Sequence, residues 1–142
     1  MECSRRDLGF LLTALLAPGS LFSAEEGMLP AKAYRFEDLP VKTNGDNTSH
    51  AILAGKTVPG YGISIGENNI APGGMPHQPH HHETAQALLV FEGTFEVTIA
   101  GESTRLGPGS VAYMAPNVEH GIKNVGNTHA RYFSVTLSVI KT

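Results

Sequence analysis

The chain has 142 residues and a formal net charge of −3, with a pI near 6.1. That balance supplies no basic patch of the kind nucleic-acid binding requires, which excludes DNA and RNA as expected partners. A single cysteine, Cys3, excludes a disulfide framework, and the length suits one domain rather than two.

The first segment reads as an export signal. Ser4-Arg5-Arg6-Asp7-Leu8-Gly9-Phe10 precedes the apolar run Leu11 to Ala17, a basic start followed by a short apolar stretch. The paired arginines resemble a twin-arginine export signal, with leucine and glycine at the two places after Asp7. An ordinary secretory signal and a membrane-tethering helix are the competing readings. The apolar run falls well short of the ~20 residues a spanning helix needs, so no stable membrane span is expected after processing. Cleavage after Ala24 would leave a mature chain of 118 residues, 25–142, with no thiol and a periplasmic or extracellular destination.

Residues 25–40 read as an arm with a short extended piece at Ala33-Tyr34-Arg35-Phe36, and residues 41–49 as a polar loop. Gly60 to Ile65 alternates as a strand does and leads through Gly66-Glu67-Asn68-Asn69 to a Pro/Gly-rich approach. Ala87 to Phe91 is apolar. It runs into a Glu92-Gly93-Thr94 turn and then Phe95, Val97 and Ile99 in alternation, which is a hairpin. Thr104-Arg105-Leu106 is a short strand, Gly107-Pro108-Gly109 a corner, and Val111 to Met114 the strand after it. The last strand, His129 to Ile140, carries Phe133, Val135, Leu137 and Val139 on one face and Tyr132, Ser134, Thr136 and Ser138 on the other. No interior segment has a helical period, so the mature chain is expected to be all-β, a small barrel with a core at about residues 34–140.

Between these strands lies Pro76-His77-Gln78-Pro79-His80-His81-His82-Glu83-Thr84-Ala85-Gln86. His80, His82 and Gln86 stand at even intervals, so in extended chain all three leave one face together. His120, beyond the hairpin and the Gly-Pro-Gly corner, is the natural fourth ligand. A solvated histidine tract is the bland alternative. Such a tract would not be expected to place Gln86, Gly93 and a distant His120 with Asn124 at regular intervals. His81 falls on the opposite face and His77 out of phase, as loop residues or supports for the ligands. His50 and His129 have no pattern around them and default to structural or surface roles. Glu83, at odd spacing, is expected in solvent or hydrogen-bonded to a ligand imidazole.

These intervals resemble a known family. Gly74-x5-His80-x-His82-x3-Gln86-x6-Gly93 is similar to the first cupin motif, with Gln86 where that motif has glutamate. Gly109-x5-Ala115-Pro116-Asn117-x2-His120-x3-Asn124 is similar to the second, with Ala115 in place of proline and Asn117 in place of glycine. Asparagine tolerates the left-handed backbone better than other non-glycine residues. The resemblance implies a small single-domain cupin of the cupin 2 type, a jelly-roll or double-stranded β-helix barrel, with His80, His82, Gln86 and His120 around one divalent transition metal ion.

The glutamine alters the expected chemistry. Three neutral imidazoles and an amide oxygen leave the ion's charge uncompensated, so it acts as a stronger Lewis acid and attracts an anionic, chelating substrate. Mn, Fe, Zn, Ni and Cu all suit such ligands. The sequence therefore points to an exported mononuclear metal cupin performing oxygenase, isomerase or lyase chemistry on a small oxygenated or carboxylate metabolite. A non-catalytic binder of a sugar or sugar acid is the second reading. Tyr61, Tyr113, Tyr132, Glu92 and His50 are open candidates for a general base. A homodimer joined through an edge strand or a swapped arm around Tyr34 to Phe36 is also expected, because small barrels gain buried area by association.

Overall fold

The computed structural model describes residues 28–140. The expected export signal lies outside them. Nine strands follow a one-turn 3-10 helix, Phe36–Asp38: β1 Val41–Asn44, β2 Asn47–Lys56, β3 Tyr61–Ile70, β4 Ala85–Glu92, β5 Phe95–Ile99, β6 Glu102–Leu106, β7 Val111–Met114, β8 His120–Asn124 and β9 Ala130–Val139. They form a six-stranded sheet in the order β1-β2-β3-β9-β4-β7 and a three-stranded sheet in the order β6-β5-β8.

The core lies between the sheets. The large sheet contributes Ile70, Leu88, Val90, Met114 and Tyr132, and the small one Phe95, Val97 and Ile122, all essentially buried. An all-β fold with helix reduced to a single turn is what the alternation dictates.

Three local expectations are corrected. Residues 41–49 are not a loop but a hairpin, with Val41 opposite His50 and Asn44 opposite Asn47. Gly45 takes φ +58° as the first central residue of the two-residue turn, which suits type II′. The polar composition hid these strands because this edge hairpin buries little of either face. Likewise Gly66 to Asn69 is no connection, since β3 continues to Ile70 and pairs with β9 throughout. The extended piece at Ala33 to Phe36 ends early, because Phe36 opens the 3-10 turn.

Two of the anticipated turns are explained by contacts. Gly93 has φ +80° and packs so tightly on Ala130 that any Cβ would collide with it. Asn117 adopts φ +62°, the left-handed conformation that its place in the motif demands.

The last strand sits contrary to its hydrophobicity. Tyr132 is buried, and Ser134 and Ser138 place their hydroxyls over Gly66 and Gly62 within the same sheet face. The small polar row therefore turns inward. Phe133, Val135, Leu137 and Val139 turn outward.

Candidate metal centre

The metal loop is anchored at both ends before it reaches the histidines. Asn47 donates to Met75 O at 3.0 Å and accepts from Ala71 N at 2.9 Å. Asn124, fully buried, donates to Ile70 O and Thr128 O at 2.8 Å each and accepts from Gly126 N. Its backbone also pairs with Gly73 and Gly74. The motif's asparagine is thus a structural bolt rather than a ligand.

His80 and His120 then meet as a two-bond bridge, His80 N to His120 O at 3.0 Å and His120 N to His80 O at 2.8 Å. His82 is held by its carbonyl, which accepts from Asn117 N at 2.7 Å. Residues 80–86 are not one continuous strand, because a bend at Glu83 and Thr84 separates the histidines from β4. What joins His80, His82 and His120 is this bridge and bend, and their ligand nitrogens lie within 4.8 Å of one another.

The hydrogen bonds set the tautomers. His82 Nδ1 lies 2.8 Å from Thr84 O, and His120 Nδ1 lies 2.9 Å from Val118 O. A carbonyl can only accept, so both Nδ1 atoms carry the proton and both Nε2 atoms keep a free lone pair. His120 Nε2 and His80 Nδ1 are buried without a protein partner. Buried polar atoms in that state are rare and costly unless a bound species satisfies them. Burial, followed by the neighbouring His77, His120 and His82, lowers the His80 pKa, which keeps the ring neutral and able to ligate. A divalent cation fits this donor set.

Gln86 lies on the inward face of β4, opposite Met114 on β7 and Thr136 on β9. Its Nε2 lies 3.5 Å from Thr136 Oγ1. His77 stacks edge-on against His80 with ring centroids 4.2 Å apart and bonds to Gln78 O, so it supports that ring from outside. His81 and Glu83 are exposed. His129 bonds to Asp46 O at the surface.

The possible bases separate by face. Tyr61 and Tyr113 are exposed on the outer side of the large sheet, and Glu92 is exposed beside the bulge in β4. Tyr132 is packed edge-on against Phe95, and burial followed by the charge of Glu67 pushes its phenol pKa far up. His50 is bound to Glu67 at 3.0 Å. Glu67 is the residue that sequence reasoning placed wrongly. Its carboxylate is buried and also accepts from Arg131 Nε at 2.7 Å. No local signal marks it, since Arg131 lies 64 residues away.

Residues 67–136 match the Cupin domain family. Solved structures agree. KdgF from a Halomonas species superposes with a TM-score of 0.64 at 18% identity, over 75% of this chain and 94% of that one. The fold is that of a cupin. A predicted oxalate decarboxylase from Thermotoga maritima gives 0.64 at 15%, over 77% of this chain and 100% of the other. The polyketide cyclase RemF from Streptomyces resistomycificus gives 0.60 at 16%, over 78% and 86%. No curated protein matches the sequence. At these identities the likeness carries the cupin fold alone.

Proposed function

We propose that this chain is an exported mononuclear metal cupin that acts on a small oxygenated or carboxylate metabolite. The observation that carries the reading is the cluster of three imidazoles, two of them with buried nitrogens that no protein atom satisfies. Gln86 is the fourth ligand. With its Nε2 directed at Thr136, the amide oxygen is left for the ion. When bound, a divalent ion in this neutral ligand set supplies Lewis acidity toward an oxygen of the substrate. The chain's own part is to hold the ligand rings. Thr84 and Val118 fix the His82 and His120 tautomers, and the His80–His120 bridge sets their separation. The fold is also that of a polyketide cyclase and a predicted oxalate decarboxylase, which is support by analogy of fold alone.

A second reading, a non-catalytic binder of a sugar or sugar acid, is favoured by one observation. Tyr61 and Tyr113 face outward, and Glu67 engages His50, so none of these supplies a base to the barrel interior. Two variants separate the readings. Gln86→Glu adds a charge to the ligand set, so metal content holds or rises while turnover of an anionic substrate falls. His82→Ala loses both metal and turnover. A screen of small carboxylates and sugars on wild type and both variants, with metal measured beside it, decides the matter. Ligand affinity that survives metal removal, with no turnover of any compound, would establish the binder.

A further inference from the structure

The two sheets are unequal, and the difference leaves a polar shelf. The large sheet has six strands and the small one three. Among the described residues, none of β1 or β2 belongs to the buried core. Ala51, Ala54 and Lys56 stand opposite Gly66, Ser64 and Gly62, which register in turn with Ser134, Thr136 and Ser138 on β9. That is the core-facing side of the sheet, yet Ala51, Ala54 and Lys56 are exposed. Two adjoining cavities of about 510 and 270 Å³ continue the shelf toward β1, and Lys42, Ser49 and Asn68 line both.

We propose that this shelf is a binding groove for an acidic oligosaccharide, a chain of sugar acids that lies along β2 and presents one end to the metal centre. The inference deepens the reading of a metal cupin acting on a carboxylate, and it rests on that reading only for the end at Gln86. Three observations carry it. First, the shelf has hydrogen-bonding capacity to spare, because Ser49, Ser64, Asn68, Ser134 and Ser138 make no side-chain hydrogen bond among the described residues. Hydroxyls and amides that both donate and accept match sugar hydroxyls, which do the same. Second, its cations stand at the two ends. Lys42 reaches the shelf through its register with Ser49, and the strand from Ser49 to Lys56 spans roughly 20 Å. That separation suits carboxylates on different units of one chain, since an ammonium is a point charge that accepts an acidic oxygen from many directions. The one acid that lines either cavity, Glu67, gives its carboxylate to Arg131 and His50 and so does not repel an anion. Third, the floor is shallow in side chains where the ligand lies. A Cβ at Gly62 would run into the Ser138 hydroxyl, and Ala51 and Ala54 stop at a methyl, which leaves depth for sugar rings. The row Ala54, Ser64, Thr136 ends on Gln86, so the groove leads to the proposed ligand set. None of the exposed large hydrophobic residues lies on the shelf, which argues against a lipid. Two lysines in a chain of net charge −3 do not make a nucleic-acid track.

The test is titration calorimetry of natively purified protein with a short oligogalacturonate and with a neutral maltooligosaccharide of the same length, for wild type, Lys42→Glu and Ala51→Trp. Both positions are exposed, so the first change reverses a charge and the second fills the groove without disturbing the core. Lys56→Glu, at the other end, stands in for either variant should it fail to fold by circular dichroism. The groove predicts that wild type binds the acidic oligomer at least ~10-fold more tightly than the neutral one, and that each variant loses ~10-fold with its metal content unchanged. Wild type that does not bind oligogalacturonate, or binds the neutral oligomer equally well, would overturn the proposal. So would folded variants that bind as wild type does. His82→Ala separates this inference from the reading of the metal site. Oligogalacturonate binding retained there after the metal is lost supports the groove, and complete loss of binding would place the oligomer on the metal alone and overturn it. A wild type that binds the oligomer but no metal overturns the metal reading and leaves the groove supported.

Discussion

At the scale of single residues, the histidines are governed by what holds them. His80 has its pKa lowered below the ordinary value of 6.5, first by burial and then by three neighbouring imidazoles. The unfolded chain therefore takes up a proton at this ring before the folded chain does. Stability tied to His80 is fully present above pH 6.5 and is lost as pH falls through the lower folded value. Metal-free protein should thus melt at progressively lower temperature below that pH in calorimetry. Bound metal should move the loss to lower pH, because the ion competes with protons for the same lone pairs. A melting temperature of the metal-free form that is flat from pH 7 down to 5 would contradict this. His80 and His82 were legible because they stand two residues apart, and His120 because its spacing to Asn117 and Asn124 resembles a second motif; the structure brings the three together. Glu67 was not, because its burial depends on Arg131 and His50, which arrive from β9 and β2.

Strands were legible where one face is buried and the other is not. β4, β5 and β7 follow their alternation closely. The β1–β2 hairpin was missed because its residues are polar on both sides, although Asn44-Gly45 was a usable turn signal. The turns that connect strands are where substitutions should act most simply. Gly93→Ala places a methyl into Ala130 at positive φ and should cost about 2–4 kcal/mol in denaturant unfolding. Ala100 in the β5–β6 turn has φ +50°, a conformation that penalises any Cβ. Ala100→Gly should therefore raise stability by about 0.5–1 kcal/mol, the reverse of the usual cost of glycine. A destabilised Ala100→Gly would mean that the turn is held by contacts rather than limited by strain.

For the whole molecule, the cupin-type barrel was legible from paired motifs, but the side of β9 that faces the core was not. Hydrophobicity alone would bury Phe133 to Val139, whereas the fold buries Tyr132 and turns the serine and threonine row inward. Such an inversion is invisible in the alternation alone, because period two marks two faces of a strand and does not say which of them meets the core. The proposed export is also tested on the whole chain. Replacing Arg5 and Arg6 together with lysine should block twin-arginine transport while leaving an ordinary secretory route little affected. Normal export of that double variant, followed by fractionation and immunodetection, would show the pair to be a plain basic start.

The central claim is that the histidine cluster holds one metal ion. The most direct measurement is elemental analysis of natively purified protein beside His82→Ala, with folding checked by circular dichroism. The account predicts close to one equivalent of a single divalent transition metal per chain in the wild type, and a loss of at least ~10-fold in occupancy in the variant. Wild-type protein that binds no transition metal, even after incubation with Mn, Fe, Zn, Ni and Cu in turn, or a variant that retains full occupancy, would contradict it.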